Sequence, residues 1–270
     1  MMSIDRIVAI ALAVTVMTAP ASADEPVRLL AAGSLRSALT EVTTAFEADT
    51  GVRVQAKYGP SGLLKDEIAG GAPAEVFASA NMEHPQTLAK AGHSGPVVLF
   101  ARNQLCALVR PGLDAESSTV LDRMLDPKLK LGTSTPRNDP AGDYAWEVFH
   151  KADVLNPGAF GTLENKALQL VGGPTAPSVP PGRSVYAMLL AEGKADVFLT
   201  YCTGAFEAMK ENTGLRSVRL PDEIAVAADY GLTVVTGASV NAYRFAMFIL
   251  SADGQHALAA HGFAAPALPQ

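Results

Sequence analysis

Nowhere along its 270 residues does this sequence gather positive charge. Its 21 lysines and arginines are outnumbered by 27 acids, the formal net charge is −6, and no basic block or stripe forms. That excludes the electrostatic footprint of a nucleic-acid binder. A mildly acidic chain that holds an anion must do so locally, against its own overall field. Histidine is scarce too. His84, His93, His150, His256 and His261 stand apart, without the Cys/His spacing of a metal site, and read as surface or helix-end residues. There are two cysteines, Cys106 and Cys202. In an oxidising compartment they are free to form a disulfide, and two buried thiols are the equal alternative. Catalytic signatures are missing as well. Gly59-Pro60-Ser61-Gly62 is not a G-x-S-x-G elbow, and the chain has neither a G-x-x-x-x-G-K-[ST] loop nor an H-E-x-x-H. Asp139 and Asp143 lie one turn apart, and Asp222 and Asp229 more loosely so. Helix capping and solvated surface explain them better than acid/base work.

The amino end carries an apolar run from Ile7 to Met17, too short to span a membrane, and then Ala21-Ser22-Ala23. This is the pattern of a secretory signal over residues 1–23 and implies a periplasmic protein. Beyond it, strand and helix signals alternate, which argues an α/β fold with mostly parallel sheets. Val27 to Ala32 is a continuous apolar strand. Leu35, Ala38, Leu39, Val42, Ala45 and Phe46 then share one helical face, and Gly51 closes the helix. Val52 to Tyr58 alternates as a strand, a helix follows from Ser61 to Ala69, and Glu75 to Ala80 is a third strand.

In the middle of the chain, Leu129 to Gly132 reads as a strand. Asp139 and Pro140 then open a helix as N-cap and N1, with Ala141, Ala145, Val148, Phe149 and Ala152 on one face. Ser184 to Glu192 is helical, and Val197 to Tyr201 is a strand ending on a hydroxyl. Residues 97–110 form a long extended run with a polar break, and a second such run lies around residue 231. They suit two crossings between domains. The Pro- and Gly-rich residues 172–183 make a long connecting loop.

In open parallel sheets, ligands bind beyond the carboxyl ends of the strands, where helix N-termini present free N–H groups. Ser34 and Ser61 fall at two such junctions, the Ala141 N–H at a third, and the Tyr201 hydroxyl beside them. All are uncharged donors, which suits a fully ionised, acceptor-only anion. A single serine at a helix start usually only caps it. Two at successive strand ends, each beside glycine, bring a ligand role level with that reading.

These stretches resemble the periplasmic molybdate-binding proteins of ABC importers. AAGSL (31–35) and YGPSG (58–62) are similar to that family's two serine motifs, and GGAPAEVFASAN (70–81) to the segment that follows them. DPAGDYAWEV (139–148) resembles its second-domain helix start, AEGKADVFLTYCTGA (191–205) its tyrosine strand, and SADGQHALAAHGFAAP (251–266) its C-terminal ending. The resemblance implies two doubly wound α/β lobes joined by a two-strand hinge, the type II periplasmic-binding-protein fold. Residues 24–103 and 237–270 would form the first lobe and 104–236 the second, hinge crossings included. It implies capture of molybdate or tungstate between the lobes by Ser34, Ser61, Ala141, Arg183 (through its main-chain N–H) and Tyr201. The metal is reached only through its oxygens, with no cofactor, no enzymatic step, a monomeric state and an ABC permease as partner. Cys202 would pair with Cys106 if the crossing strand runs alongside. Hydrogen phosphate would be rejected for want of an acceptor for its proton. An inward Arg183 would instead favour another small anion, an organic acid or a metal complex. An exported hydrolase using Ser61 is a further alternative and lacks an obvious base.

Overall fold

The structure, a computed structural model, describes residues 25–266 apart from 175, 178 and 181. The leader expected over residues 1–23 lies outside the described residues. Among those described, no helix is long and apolar enough to cross a membrane.

The first lobe begins with β1 (Val27–Ala32), α1 (Arg36–Thr50), β2 (Val54–Gly59), α2 (Ser61–Ala69), β3 (Val76–Ser79) and α3 (Glu83–Lys90). β1 lies between β2 and β3, parallel to both. Its apolar run is buried on both faces, which is why the sequence shows no alternation there. α1 buries Ala38, Leu39, Val42 and Phe46, and Gly51 ends it at φ 71°. Ala45, expected in that stripe, is exposed, because it lies at the stripe's solvent margin.

The twelve-residue strand β4 (Val98–Val109) leaves this lobe for the second. There follow α4 (Val120–Leu125), β5 (Leu131–Ser134), α5 (Pro140–Leu155), α6 (Ala159–Lys166), β6 (Leu168–Val171), α7 (Val185–Ala191), β7 (Val197–Tyr201), α8 (Cys202–Glu211) and β8 (Arg216–Arg219). β5 sits two residues later than expected because Lys130 spends its N–H on the Asp196 carboxylate, and the parallel pairing with β7 starts at Leu131. The chain returns through β9 (Ala227–Val234) and ends in α9 (Val240–Leu250) and α10 (Ala252–Ala260). Both helices pack back on α1, with the Phe46 ring 5.1 Å from that of Phe245.

The strand order is β2-β1-β3-β9-β4-β7-β5-β6, with β8 also on β4. β4 belongs to both lobes. Its first half, to Gln104, pairs antiparallel with β9, and from Leu105 it pairs with β7 and β8. The return crossing lies earlier than the sequence indicates. β9 runs antiparallel to β3 from Gly231 to Val234, so the second lobe ends near residue 226 and not at 236. Gly231-Leu232-Thr233-Val234 is therefore a strand of the first sheet, and the hinge is the ribbon formed by Arg102 to Gln104 on Ala227 to Asp229. Cys106 and Cys202 are joined in a disulfide, Cα to Cα 4.9 Å, just inside the second lobe.

Candidate functional site

The carboxyl ends of β1, β2 and β7 converge between the lobes. After β1 the chain makes one 3₁₀ turn, Gly33–Leu35, which carries the half-buried Ser34. Ser61 opens α2 and is 1% exposed. Neither hydroxyl caps its own helix. The structural explanation for a serine at a helix start therefore fails for both. The Ser34 Oγ lies 3.0 Å from the Tyr230 hydroxyl, and the Ser61 Oγ accepts from the Ala80 N–H at 3.1 Å. From the other lobe, the Tyr201 hydroxyl donates to the Ala80 carbonyl at 3.3 Å. One residue just after β3, Ala80, thus ties Ser61 and Tyr201 together through its N–H and its carbonyl.

Aromatic rings pack around this point. Tyr201 meets Tyr230 at 5.6 Å and Tyr144 at 6.3 Å, both edge to face. Burial pushes the phenols of Tyr201, Tyr230 and Tyr144 well above the usual range. All three stay protonated at neutral pH and can donate.

Asp139 is the N-cap of α5, as the sequence indicates, and its carboxylate accepts from the Ala141 N–H at 3.2 Å. That N–H is the donor the resemblance assigns to the anion, so a built-in carboxylate stands on it. Gly172, at φ 78°, folds over the carboxyl so closely that a Cβ there would lie 2.5 Å from that of Asp139. Burial drives the Asp139 pKa up to about 6. The Ala141 N–H and the Ser134 hydroxyl beside it hold it back, and Asp143 adds repulsion.

Arg183 is not brought to the cluster. Its guanidinium is bound to Glu211 at the surface (Nη2 to Oε1, 2.6 Å), and its own N–H donates to the Pro180 carbonyl. Glu211 also takes the Ser184 N–H at 2.7 Å. The main-chain donor expected to face the cleft, the Arg183 N–H, is thus spent on the Pro180 carbonyl, while the end of α8 takes the Arg183 guanidinium and the Ser184 N–H.

The lobes touch directly. The Gly62 N–H donates to the Asn138 carbonyl at 2.9 Å, and a Cβ at Gly62 would meet the Arg137 carbonyl at 2.2 Å. Arg137 is held at φ 69°, with its N–H on the Asp143 carboxylate at 2.8 Å. Beside this contact opens a cleft of about 550 Å³ with Glu83, Asp143, Glu147 and Asp229 in its lining. Asp229 is paired with Arg102 at 2.9 Å. Burial raises the Asp143 carboxyl, with Glu83 adding to the effect. Among the described residues, no group of three or more His, Cys, Asp or Glu is arranged to hold a metal ion.

Tyr230, Asn103 and the raised carboxyl of the half-buried Asp139 were not legible in the sequence. Tyr230 offered only a tyrosine on a crossing strand, and Asp139 read as an ordinary cap.

Two α/β lobes on a two-strand ribbon, with hydroxyls of both meeting between them, define a two-lobed solute-binding protein of the type II periplasmic fold. The chain belongs to the bacterial extracellular solute-binding protein family, which it matches over residues 27–264. It is 33% identical over 210 residues to "Uncharacterized protein PM1146" of Pasteurella multocida, covering 77% of this chain and 87% of that protein. It is 26% identical over 260 residues to the molybdate-binding protein ModA of Mycobacterium tuberculosis, covering 92% of this chain and 87% of ModA. The solved sulfate-binding protein SubI of M. tuberculosis shares the fold with a TM-score of 0.71 at 21% identity, over 89% of this chain and 87% of SubI.

Proposed function

We propose that the protein captures a small tetrahedral oxyanion, molybdate or tungstate, between its lobes and delivers it to an ABC permease. One observation carries this reading. The hydroxyls of Ser34, Ser61 and Tyr201 come together from both lobes and, among the described residues, no lysine or arginine side chain is bonded to any of them. An ionised oxyanion accepts hydrogen bonds and gives none, so uncharged donors suffice if enough converge, each contributing roughly 1.5–3 kcal/mol. The likeness to ModA supports the same ligand. Ala141 would join the donors once its N–H is shared between Asp139 and the ligand.

The Asp139 carboxylate changes the expected selectivity. It is an acceptor within the donor set, so hydrogen phosphate, which carries a proton, is not rejected for lack of one. The acid-lined cleft favours a second reading, a metal complex of an organic acid whose cation faces Glu83 and Asp143. Arg183 has no part in that reading, because Glu211 holds it at the surface.

Thermal unfolding with molybdate, tungstate, sulfate, phosphate, citrate and ferric citrate in parallel separates these. A ligand at a thousand times its dissociation constant adds about 4 kcal/mol of stability. Molybdate and tungstate are expected to raise the midpoint. The double substitution Ser34→Ala with Ser61→Ala is expected to remove that rise. It should lower the midpoint without ligand by the worth of two bonds, about 1–3 kcal/mol each, since the Ala80 N–H loses its acceptor and the buried Tyr230 hydroxyl loses Ser34. A rise with ferric citrate alone would replace the oxyanion reading with the second one.

A further inference from the structure

We propose that Asn81 and Tyr144 are two further ligand-binding residues, an uncharged donor from each lobe that the captured anion meets beside Ser61 and Tyr201. The inference rests on the oxyanion reading and names where the rest of its donors come from. That reading is short of them. The Arg183 N–H is spent on the Pro180 carbonyl, and the Ala141 N–H is shared with Asp139. A tetrahedral anion accepts at every oxygen and needs more donors than the hydroxyls of Ser34, Ser61 and Tyr201.

Asn81 follows Ala80, the residue that joins Ser61 to Tyr201, and is only 7% exposed. Two donors fix which way its amide faces. The His84 N–H donates to one end of the side chain at 3.1 Å, and the Ser79 hydroxyl donates to the same end at 2.9 Å. A backbone N–H only donates, so that end is the carbonyl oxygen. The other end is then the NH₂ group, a donor whatever its neighbours do. Among the described residues nothing accepts from it. Asn81 lines the cleft of about 550 Å³ between the lobes, and the acceptor its amide lacks is to be found there.

Tyr144 lines the same cleft from α5, in the second lobe. Of the three phenols around the site, the other two are engaged. Tyr201 donates to the Ala80 carbonyl, and Tyr230 lies between the buried Asn103 amide at 3.3 Å and Ser34 at 3.0 Å. The Tyr144 ring stands edge to face with Tyr201 at 6.3 Å, yet its hydroxyl has no hydrogen-bond partner among the described residues. Burial and the acids nearby keep the proton on it, so it has one to give. Those acids do not close the cleft to an anion. Asp229 is paired with Arg102 at 2.9 Å, Glu147 lies 3.7 Å from Lys151, and the Asp143 carboxylate takes the Arg137 N–H at 2.8 Å. Glu83 has no such partner among the described residues, and it is exposed, where solvent and salt screen it. Because the two donors sit on opposite lobes, an anion that bonds to both also holds the lobes together.

Calorimetric titration with molybdate tests the proposal on three variants. Tyr144→Phe keeps the ring and removes the hydroxyl, and is expected to weaken binding about tenfold. Asn81→Asp keeps an oxygen for His84 and Ser79 and replaces the free donor by an acceptor, and is expected to weaken binding roughly 100-fold. Gln86→Glu adds the same charge on an exposed side chain of the same cleft, and is expected to bind within about threefold of the parent. A loss in Gln86→Glu as large as in Asn81→Asp would show that charge alone is felt and would reject the role given to Asn81. Binding by Tyr144→Phe within twofold of the parent rejects the role given to Tyr144. Nuclear magnetic resonance of the unsubstituted protein supplies a readout that no variant can spoil by misfolding. The side-chain NH₂ signals of Asn81 are expected to move on saturation with molybdate, and signals that stay in place overturn the proposal. A parent that binds neither molybdate nor tungstate ends the oxyanion reading and this inference with it. A parent that binds while both variants match it ends this inference alone.

Discussion

Gly62→Ala is expected to weaken ligand capture roughly 100-fold while leaving both lobes folded. A Cβ at this position would stand 2.2 Å from the Arg137 carbonyl oxygen, 2.8 Å from that of Asn138 and 3.1 Å from the Asn138 carbonyl carbon. These are backbone atoms of the opposite lobe, so no side chain can swing aside. Arg137 has little room to yield, since it already sits at φ 69° with its N–H on Asp143. Within its own lobe the alanine is welcome, because Gly62 lies in α2 and alanine favours helix by about 1 kcal/mol over glycine. The penalty falls on the approach of the lobes. Overpacking of this kind costs about 3 kcal/mol at its upper end, and affinity then falls roughly 100-fold. Titration with molybdate measures the loss. X-ray scattering is expected to show a larger radius of gyration with the anion present than in the parent. Binding within threefold of the parent would mean that the Gly62 contact does not form part of the captured state.

The second large effect is expected at Asp139. Burial raises its carboxyl from 3.8 to about 6. The charged form is the disfavoured one, so the residue's contribution to stability is fully present below about pH 4 and is lost as pH rises through about 6. The full shift corresponds to about 3 kcal/mol at neutral pH. Asp139→Asn keeps an oxygen to accept from the Ala141 N–H and removes the charge. The variant should therefore be more stable than the parent at pH 7.5 by up to that amount, and the two should converge near pH 4. Anion binding follows the same group. If molybdate is the ligand, as proposed, its affinity for the parent is expected to rise as pH falls from 7.5 to 5.5, while in Asp139→Asn the rise is shallower. Part of the slope will remain, because Asp143 is also raised and is untouched. Denaturation midpoints at several pH values check the stability claim, and parallel slopes in parent and variant would rule it out.

Much of the architecture was readable because local signals agreed with global ones. The α1 stripe, the Asp139-Pro140 start of α5, the helix start at Ser61 and the strand ending on Tyr201 all appear where the pattern sets them. What stayed hidden depends on partners far along the chain. Ser34 and Tyr230 meet across 196 residues, and no period links them. Arg183 is turned outward by Glu211, which lies 28 residues on and three elements away in the fold. The partial burial of Asp139 owes much to Gly172 folding over its side chain, and the sequence marks that glycine only as part of a loop. The return crossing was misplaced because GLTVV is apolar enough for either lobe, and only its pairing with β3 decides between them.

The Cys106–Cys202 bond couples Tyr201 to its chemical surroundings. Tyr201 is the residue before Cys202 and sits opposite Leu105, the residue before Cys106. The staple thus clamps the phenol's backbone to the very strand that enters from the hinge. Thiols remain reduced in the cytosol and oxidise outside it. A newly made chain would lack that clamp until it reaches the compartment where it works, so full rigidity at the mouth of the trap is acquired on arrival and not during synthesis.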